Sequence, residues 1–290
     1  MVFIMYCIHS LQFCSSLPDI LAKESQLIVH STFSRACNFI TSENVIVTLL
    51  KDNTPLAPRS AVLACSDLGL FFQPNIQVSL INGKIITSHG VLIDLLAGKN
   101  TETIINSIEN KYLSSPSNLT RLVNIIGDFL VKSPPSGGMH DILNGQSDFY
   151  PTKTIERIHS ALDDFTLWLK NDGNTSSLAQ LVGFGIGLTP SADDFILGVM
   201  MVLDLYHKQK HHALSLQLYP LLARTTDISA AMLSNACSSR YSLLFSSLFT
   251  SPINNIEITL KQIAAHGHSS GHDMLCGVYF ALTRLEGNWI

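Results

Sequence analysis

Two glycine-rich segments hold the densest set of residues in this sequence that could do chemistry. The first, residues 183–194, reads Gly-Phe-Gly-Ile-Gly-Leu-Thr-Pro-Ser-Ala-Asp-Asp and runs directly into an apolar stretch. Glycines such as Gly185 and Gly187 open backbone conformations that are closed to other residues, and they let a ligand approach the main chain. The amide groups at the start of the helix that follows would favour an anion.

The residues at this helix start allow two different caps. Thr189 can be the N-cap, with Pro190 at the first helical position. Alternatively, Ser191 caps the helix and Asp194 completes a capping box. A well-capped helix without further function explains the spacing equally well. The neighbouring acid favours a functional role for the segment, because one Asp suffices for a cap. Asp193 is then available to accept from a substrate donor, to bind a metal or to transfer a proton.

The second segment, residues 266–273, reads His-Gly-His-Ser-Ser-Gly-His-Asp and precedes Met-Leu-Cys-Gly. It repeats the first segment as Ser-x-x-Asp-x-x-x-Gly, matching Ser191 with Ser270, Asp194 with Asp273, and Gly198 with Gly277. If the two helices pack as a pseudo-symmetric pair, their amino ends face one pocket and bind two anionic groups. A chance match of three positions is the competing explanation.

The histidines of the second segment raise metal binding and nucleophilic catalysis as alternatives. His266, His268, His272 and Asp273 are the residue types of a metal site. His268 and His272 are four residues apart, a spacing that would place them on one face of a helix. A helix that begins near Ser270 excludes His268, however, so we expect no metal and no other cofactor. A Ser–His–Asp triad using Ser269 and His268 would lack the nucleophile elbow Gly-x-Ser-x-Gly.

The elements that carry these segments predict an α+β protein: a β-rich amino-terminal region followed by a mostly α-helical carboxy-terminal domain. Residues 45–50 form a β-branched run, and residues 76–81 and 84–87 flank Asn82-Gly83, the dipeptide of a type I′ hairpin. We expect a β-rich domain over residues 1–98 and a helical domain over residues 99–290.

Apolar residues recur at helical spacing across much of the second half. They fall at Leu119, Leu122, Ile126 and Leu130, and again at Ile158, Leu162, Phe165 and Leu169. Between these helices, residues 133–151 are polar and rich in glycine and proline, which predicts a loop. Farther on, Thr226 or Asp227 can cap another helix.

The composition excludes several classes of partner. The 290 residues are 46% hydrophobic and only 14% charged, with a mean hydropathy of +0.27, which favours a surface partly buried against other subunits. The net charge of −4, without a basic cluster, argues against nucleic acid. Apolar residues 195–203 are too few to span a bilayer. Six scattered cysteines and no signal-peptide pattern predict a cytoplasmic protein.

Four segments together resemble the AllH-like family. They are residues 185–195, Gly-x-Gly-Leu-Thr-Pro-Ser-x-Asp-Asp-Phe; residues 267–277, Gly-His-Ser-Ser-Gly-x-Asp-Met-Leu-x-Gly; residues 30–38, His-Ser-x-Phe-Ser-Arg-Ala-x-Asn; and residues 57–60, Ala-Pro-Arg-Ser. They follow one another in order over most of the chain. Ile186, Ala192 and His272 depart from the family pattern, which commonly has proline, glycine and threonine there.

The resemblance implies a subunit of a heteromeric oxamate carbamoyltransferase of anaerobic allantoin and purine catabolism. Such an enzyme converts oxalurate and phosphate into oxamate and carbamoyl phosphate. The expected partners are therefore these small anions and the other subunits, with neither nucleic acid nor membrane. Two other classes stay open: a non-catalytic structural or regulatory subunit, and a metal-dependent amidohydrolase.

We expect two sets of site residues. Asp193, His268 and Asp273 are the candidate catalytic residues, with His268 donating to a carbonyl or acting as general acid and Asp193 contacting the substrate amide. Asp194 and Asp273 would also order the loops. The candidate anion-binding residues are Gly185, Gly187, Thr189, Ser191, Asp194, Ser269, Ser270, Gly271, His30 and Arg35.

Overall fold

A computed structural model describes residues 6–107, 110, 112, 115–134, 136–145, 149–171 and 175–285. The chain divides into two compact units: residues 1–107 with 241–244, and residues 108–240 with 245–290. The first unit is rich in strands and the second in helices, which confirms the predicted fold class.

The first unit holds the strands of the described chain in one mixed sheet. The strands are β1 (Tyr6–Cys14), β2 (Gln26–Thr32), β3 (Ala36–Ile40), β4 (Ile46–Leu50), β5 (Ser60–Leu63), β6 (Gln77–Ile81), β7 (Lys84–Ile86), β8 (Val91–Asp94) and β9 (Lys99–Thr101). Their order is β5-β4-β3-β2-β6-β7-β8-β1-β9, and β5 also pairs with β1, so eight strands close on themselves. Residues 12–14 of β1 pair with β9.

Alternating side chains of these strands face one buried core. In β6, for example, Val78 and Leu80 are buried while their neighbours are exposed, as expected for a strand with one face turned inward. A short helix, α1 (Leu17–Leu21), adds Leu17 and Leu21 to the same core. The predicted hairpin is confirmed, because Asn82 and Gly83 both have positive φ between β6 and β7.

The second unit is a helical assembly. Its helices are α2 (Pro116–Lys132), α3 (Met139–Leu143), α4 (Thr152–Lys170), α5 (Leu178–Leu181), α6 (Ser191–Tyr206), α7 (Lys208–Leu218), α8 (Asp227–Cys237), α9 (Leu243–Thr250), which begins in the first unit, α10 (Ile256–Ala264) and α11 (Ser270–Arg284). The apolar stripes predicted for α2 and α4 are buried. α6 is central, since every residue from Ser191 to Leu205 is buried. No helix in the described ranges combines the length and apolarity needed to span a membrane.

The predicted loop over residues 133–151 is wrong in part. Residues 139–143 form α3, and its His140 and Asp141 are buried. The helix begins after Gly137-Gly138, and the Asp141 carboxylate accepts from the amide of Ser136 at 2.9 Å and from that of Gly137. Tertiary packing therefore supports a helix that is too short to show a sequence period. Residues 135 and 146–148 of this segment lie outside the described residues.

Candidate functional site

The first glycine-rich segment folds back onto the start of α6. Gly185 has a φ of +124°, and a Cβ on it would overlap the amide nitrogen of Ser191, so only glycine fits there. The carbonyl of Phe184 accepts from the amide of Ala192 at 2.9 Å. The loop and the first turn of the helix are thus one packed unit.

Neither predicted cap forms at this helix. α6 begins at Ser191 with Pro190 in the N-cap position, and no side chain caps it. The amides of Asp193 and Asp194 donate to the carbonyl of Pro190 at 2.9 and 3.3 Å, respectively. Together with the amide of Ala192, three amides of the first turn are therefore already satisfied within the chain. At the later position, by contrast, Thr226 caps α8 as predicted and accepts from the amide of Ser229.

α6 and α11 lie side by side and run in the same direction. A Cβ on Gly198 would overlap the carbonyl oxygen of Met274, and a Cβ on Gly277 would overlap that of Phe195. At the amino ends, the hydroxyls of Thr189 and Ser270 are 2.9 Å apart. The internal repeat in the sequence therefore corresponds to a pseudo-symmetric helix pair with adjacent amino ends.

The carboxyl of each repeat reaches across to the serine of the other. Asp194 of α6 lies near Ser270 of α11, and Asp273 of α11 lies near Ser191 of α6. Both carboxyls are buried, and within the described chain the two oxygens of Asp194 and Oδ2 of Asp273 have no hydrogen bond of ordinary geometry. The two acids thus sit between paired amino ends, where the helix dipoles favour negative charge.

Burial governs how both acids ionise. It raises the pKa of Asp194 well above the usual range; the hydroxyls of Ser270 and Thr189 lower this pKa, while the charge of Asp273 raises it further. Burial likewise raises the pKa of Asp273 to about 6, against the lowering effect of Ser269 and Ser191. Both carboxyls therefore hold their protons to a higher pH than an exposed aspartate does.

Asp193 is an internal anchor. Its Oδ1 accepts from the amide of Gly183 at 2.9 Å, and its Oδ2 accepts from the hydroxyls of Thr225 and of Ser229, the latter at 2.6 Å. Burial raises the pKa of Asp193, and these three donors lower it. Both oxygens are engaged, so the side chain ties the loop to the start of α8.

The start of α3 supplies partners for Asp273 that sequence reasoning missed. The amide of His140 donates to Oδ1 of Asp273 at 3.3 Å, and a Cβ on Gly138 would overlap this carboxylate. Nδ1 of His140 lies 3.0 Å from Oδ1 of Asp141. Burial raises the pKa of Asp141, but the amides of Ser136 and Gly137 and the His140 ring outweigh it and lower the pKa overall. In the sequence, the pair Gly137-Gly138 followed by an apolar residue is the signal that could have predicted the start of this helix.

The three histidines of the second segment point to different neighbours. His266 packs edge-on against Phe245, with ring centroids 5.4 Å apart, and His268 is exposed. His272 stacks on Phe129 with centroids 6.3 Å apart, and burial lowers its pKa. Within the described residues, no three His, Cys, Asp or Glu side chains are placed to hold a metal ion together.

Gly271 packs against a neighbouring helix, unlike the serines before it. It is buried against the carbonyl of Ile263 in α10, which a Cβ would overlap, and its amide donates to the carbonyl of His266 at 3.1 Å. Ser269 and Ser270 are partly exposed, as is Thr189. Solvent therefore reaches these three residues, whereas Ser191 and the acids are buried.

His30 and Arg35 belong to the first unit, whereas the other candidate residues belong to the second. His30 lies on β2, and Arg35 lies in the exposed turn that leads to β3. The nearby Asn38 is buried, donating to Ser31 at 2.9 Å and accepting from Thr48 at 2.8 Å. This hairpin is therefore held together by its own polar contacts.

Comparison with known families accounts for most of the chain. Residues 181–282 match the family described as oxamate carbamoyltransferase subunit AllH, and residues 9–102 match the AllH family N-terminal domain. The chain belongs to the AllH family. No solved structure matches it.

All candidate residues lie inside the two AllH matches: His30 and Arg35 in the first, and both glycine-rich segments in the second. The AllH description makes the chain a carbamoyltransferase subunit. Two cavities of the helical unit, of about 610 and 460 Å³, are lined by residues of α2 and neighbouring elements, with His272 of the second segment at the smaller one. The paired amino ends instead open to solvent through exposed residues such as Gly187 and His268. The partly exposed hydroxyls of Thr189, Ser269 and Ser270 are hydrogen-bond donors at these ends.

Proposed function

We propose that this chain is a cytoplasmic subunit of oxamate carbamoyltransferase in anaerobic allantoin and purine catabolism, and that it binds small anions at the paired amino ends of α6 and α11. Membership of the AllH family supports the subunit role. The observation that carries the anion site is the parallel packing of the two helices, with the hydroxyls of Thr189 and Ser270 2.9 Å apart. The other partners are the remaining subunits of the enzyme.

The proposed donors are side chains rather than first-turn amides. The hydroxyls of Thr189, Ser269 and Ser270 are the accessible donors, whereas Ser191 is buried and lies near Asp273. We assign the buried Asp194–Asp273 pair to holding these donors in place, since Asp194 lies near Ser270 and Thr189 and Asp273 lies near Ser269. Phosphate and carbamoyl phosphate are oxyanions that such a group of donors would stabilise. Gly187 leaves the exposed part of the loop without a side chain, and Gly185 lets the loop pack against the start of α6.

The reaction that we propose is a direct transfer. An oxygen of phosphate attacks the carbamoyl carbon of oxalurate, and the bond from that carbon to the oxamate nitrogen breaks. The departing nitrogen takes a proton, leaving oxamate and carbamoyl phosphate. We assign the proton donor to the exposed His268, and we assign positioning of the loop to Asp193. In this proposal the chain supplies hydroxyl, carboxyl and imidazole groups and no cofactor.

Binding and turnover test this proposal separately. Inorganic phosphate and carbamoyl phosphate should bind the full chain in calorimetry, and Ser270→Ala should weaken both. In the enzyme reassembled with its partner subunits, His268→Ala should lower kcat by about a hundredfold, a typical loss for an acid–base group. His212→Ala, which removes an exposed histidine of α7, is the matched control and should leave kcat unchanged. Unchanged turnover in the His268 variant would remove that residue from the mechanism.

A non-catalytic subunit is the second candidate, and one observation favours it. The amides of Ala192, Asp193 and Asp194 and both oxygens of Asp193 are satisfied inside the chain, as they would be in a purely structural helix start. This candidate predicts no binding of carbamoyl phosphate to the full chain, and full turnover in assembled complexes that carry the Ser270 and His268 variants.

A further inference from the structure

A groove in the helical unit lies apart from the paired amino ends. It is a cavity of about 610 Å³ between α2, α3 and α11, a volume within the roughly 300–1,000 Å³ of small-molecule sites. Its polar lining is Asn124, Asp128, His140, Asn144, Tyr279 and Arg284. Leu130, Val131, Leu143, Cys276 and Phe280 complete it with apolar surface. Nothing in the proposed anion site accounts for this groove.

The Arg284 guanidinium is held in one orientation at the groove. Its Nε donates to the hydroxyl of Thr166 at 3.1 Å, and its Nη1 donates to that of Thr283 at 3.1 Å. Its central carbon lies 3.7 Å from the centroid of the Phe280 ring, so the planar group also has an aromatic support. Such fixed placement removes most of the ordering cost that a flexible side chain would incur on binding.

Among the described residues, no carboxylate contacts the Arg284 guanidinium directly. Across the described residues, all of its hydrogen bonds go to hydroxyl and carbonyl oxygens, and none of them uses Nη2. Asp163 influences it only through space. A half-buried guanidinium whose Nη2 makes no hydrogen bond to any described residue can present that edge to a carboxylate, because its N–H groups match the two carboxylate oxygens.

The remaining groove residues suit a ligand with amide groups. Nδ2 of Asn144 lies 3.1 Å from Nε2 of His140, and the side-chain amide of Asn144 offers a carbonyl oxygen as an acceptor. The carboxylate of Asp128 and the amide of Asn124 line the same groove. Acceptors near a carboxylate-binding arginine complement a molecule that has a carboxylate at one end and N–H donors at the other.

We propose that this groove, which we call the Arg284 groove, binds a small carboxylate that carries an amide or ureide group. Arg284 holds the carboxylate, and the acceptors of Asn144 and Asp128 receive the N–H groups. The choice of oxamate as the probe rests on the proposed function, since oxamate and oxalurate are both carboxylates of this class. The groove would then hold the product oxamate away from the paired amino ends, where phosphate and oxalurate react.

Calorimetry with oxamate and the full chain tests the groove. The wild-type chain should bind oxamate, and Arg284→Gln should weaken binding by about tenfold to a hundredfold, the worth of a charged hydrogen-bonded pair. Arg284→Lys should fail to restore it, because lysine lacks the planar fork. Lys261→Gln removes a positive charge from the rim of the neighbouring 460 Å³ cavity and is the matched control, with affinity unchanged.

A second variant tests the groove independently, in case the Arg284 variants do not fold. Val131 lines the groove but is 80% exposed, so Val131→Trp should fill the groove without disturbing the core, and oxamate binding should be lost. Leu167→Trp, at an exposed position on α4 that lines neither cavity, is its control. Absence of oxamate binding to the wild-type chain, or wild-type affinity in both Arg284→Gln and Val131→Trp, would overturn the proposal.

Two variants distinguish failure of the groove proposal from failure of the anion-site proposal. Ser270→Ala should leave oxamate affinity unchanged, whereas Arg284→Gln should leave phosphate affinity unchanged. Oxamate binding that depends on Arg284 supports the groove even if phosphate does not bind at the paired amino ends. Oxamate binding that depends on Ser270 and not on Arg284 would overturn the groove while supporting the anion site.

Discussion

Gly277 of α11 lies directly against the backbone carbonyl of Phe195 in α6. The reciprocal contact joins Gly198 to the carbonyl of Met274, so the two helices approach at two equivalent points. Only glycine permits this approach, because any Cβ would overlap backbone atoms that cannot rotate away. The close packing brings the amino ends, and the two buried acids, together.

Alanine at Gly277 should therefore be strongly destabilising. The added methyl must push two backbones apart, and we expect a loss of about 3 kcal/mol in the free energy of unfolding, at the upper end of overpacking effects. Urea unfolding followed by circular dichroism measures it. Gly127→Ala is the control: its Cβ would meet only the ring end of Tyr279, at 2.9 Å, which can shift, so the loss should be much smaller. Equal losses in the two variants would contradict the glycine contact.

The Asp273 carboxyl should make stability fall as pH rises. Its pKa is about 6 in the folded chain against an ordinary value of 3.8, so between these values the folded state binds more protons than the unfolded state. Raising the pH through this window should cost about 3 kcal/mol of unfolding free energy. Asp273→Asn does not titrate, so its stability relative to wild type should rise over the same window. A constant difference between the two proteins across this range would refute the assignment.

Removing the Asp193 carboxylate should release the glycine-rich loop. Asp193→Ala leaves the Gly183 amide and two hydroxyls without their acceptor, at an expected cost of about 3 kcal/mol or more. Ser229→Ala removes one of these bonds and should cost about 1 kcal/mol. Hydrogen exchange should quicken in residues 183–190 in the Asp193 variant and change little in the first unit. Unchanged exchange in the loop would mean that other contacts hold it.

The sequence predicted the local features of this fold because short-range signals specify them. Asn82-Gly83 requires positive φ at two positions and so predicts the hairpin, and apolar spacing alone predicts α2 and α4. The closure of the sheet was not predictable in this way. β1 pairs with β5, β8 and β9, whose contacts span tens of residues and depend on packing rather than on a local pattern.

The candidate site was likewise predictable only where a local sequence pattern specifies it. The repeat Ser-x-x-Asp-x-x-x-Gly predicts a helix pair, but a capping box, one of the two caps it allows, would keep Asp194 within its own helix. In the structure, Asp194 lies near Ser270 of the other helix, and Asp273 near Ser191. A capping rule considers one helix at a time, whereas this exchange exists only because the glycines let two backbones meet. His140 was missed for a related reason, since α3 is stabilised by tertiary contacts.

Gly185 and Gly187 provide a matched test of how the first loop supports the anion site. Both have positive φ, of +124° and +93°, so alanine strains the backbone at either position. Only at Gly185 would the new Cβ also overlap the amide of Ser191, while Gly187 has no atom within 4 Å of such a Cβ. Gly185→Ala should therefore lose about 2 kcal/mol more stability than Gly187→Ala.

The same pair of variants should differ in phosphate binding. In Gly185→Ala the loop is pushed off the start of α6, which moves Thr189 away from Ser270 and separates the proposed donors. Calorimetry should show phosphate affinity falling in this variant and remaining close to wild type in Gly187→Ala. If the two variants bind phosphate equally well, contact between the loop and the helix start is not what positions the donors, and the anion must bind elsewhere on the chain.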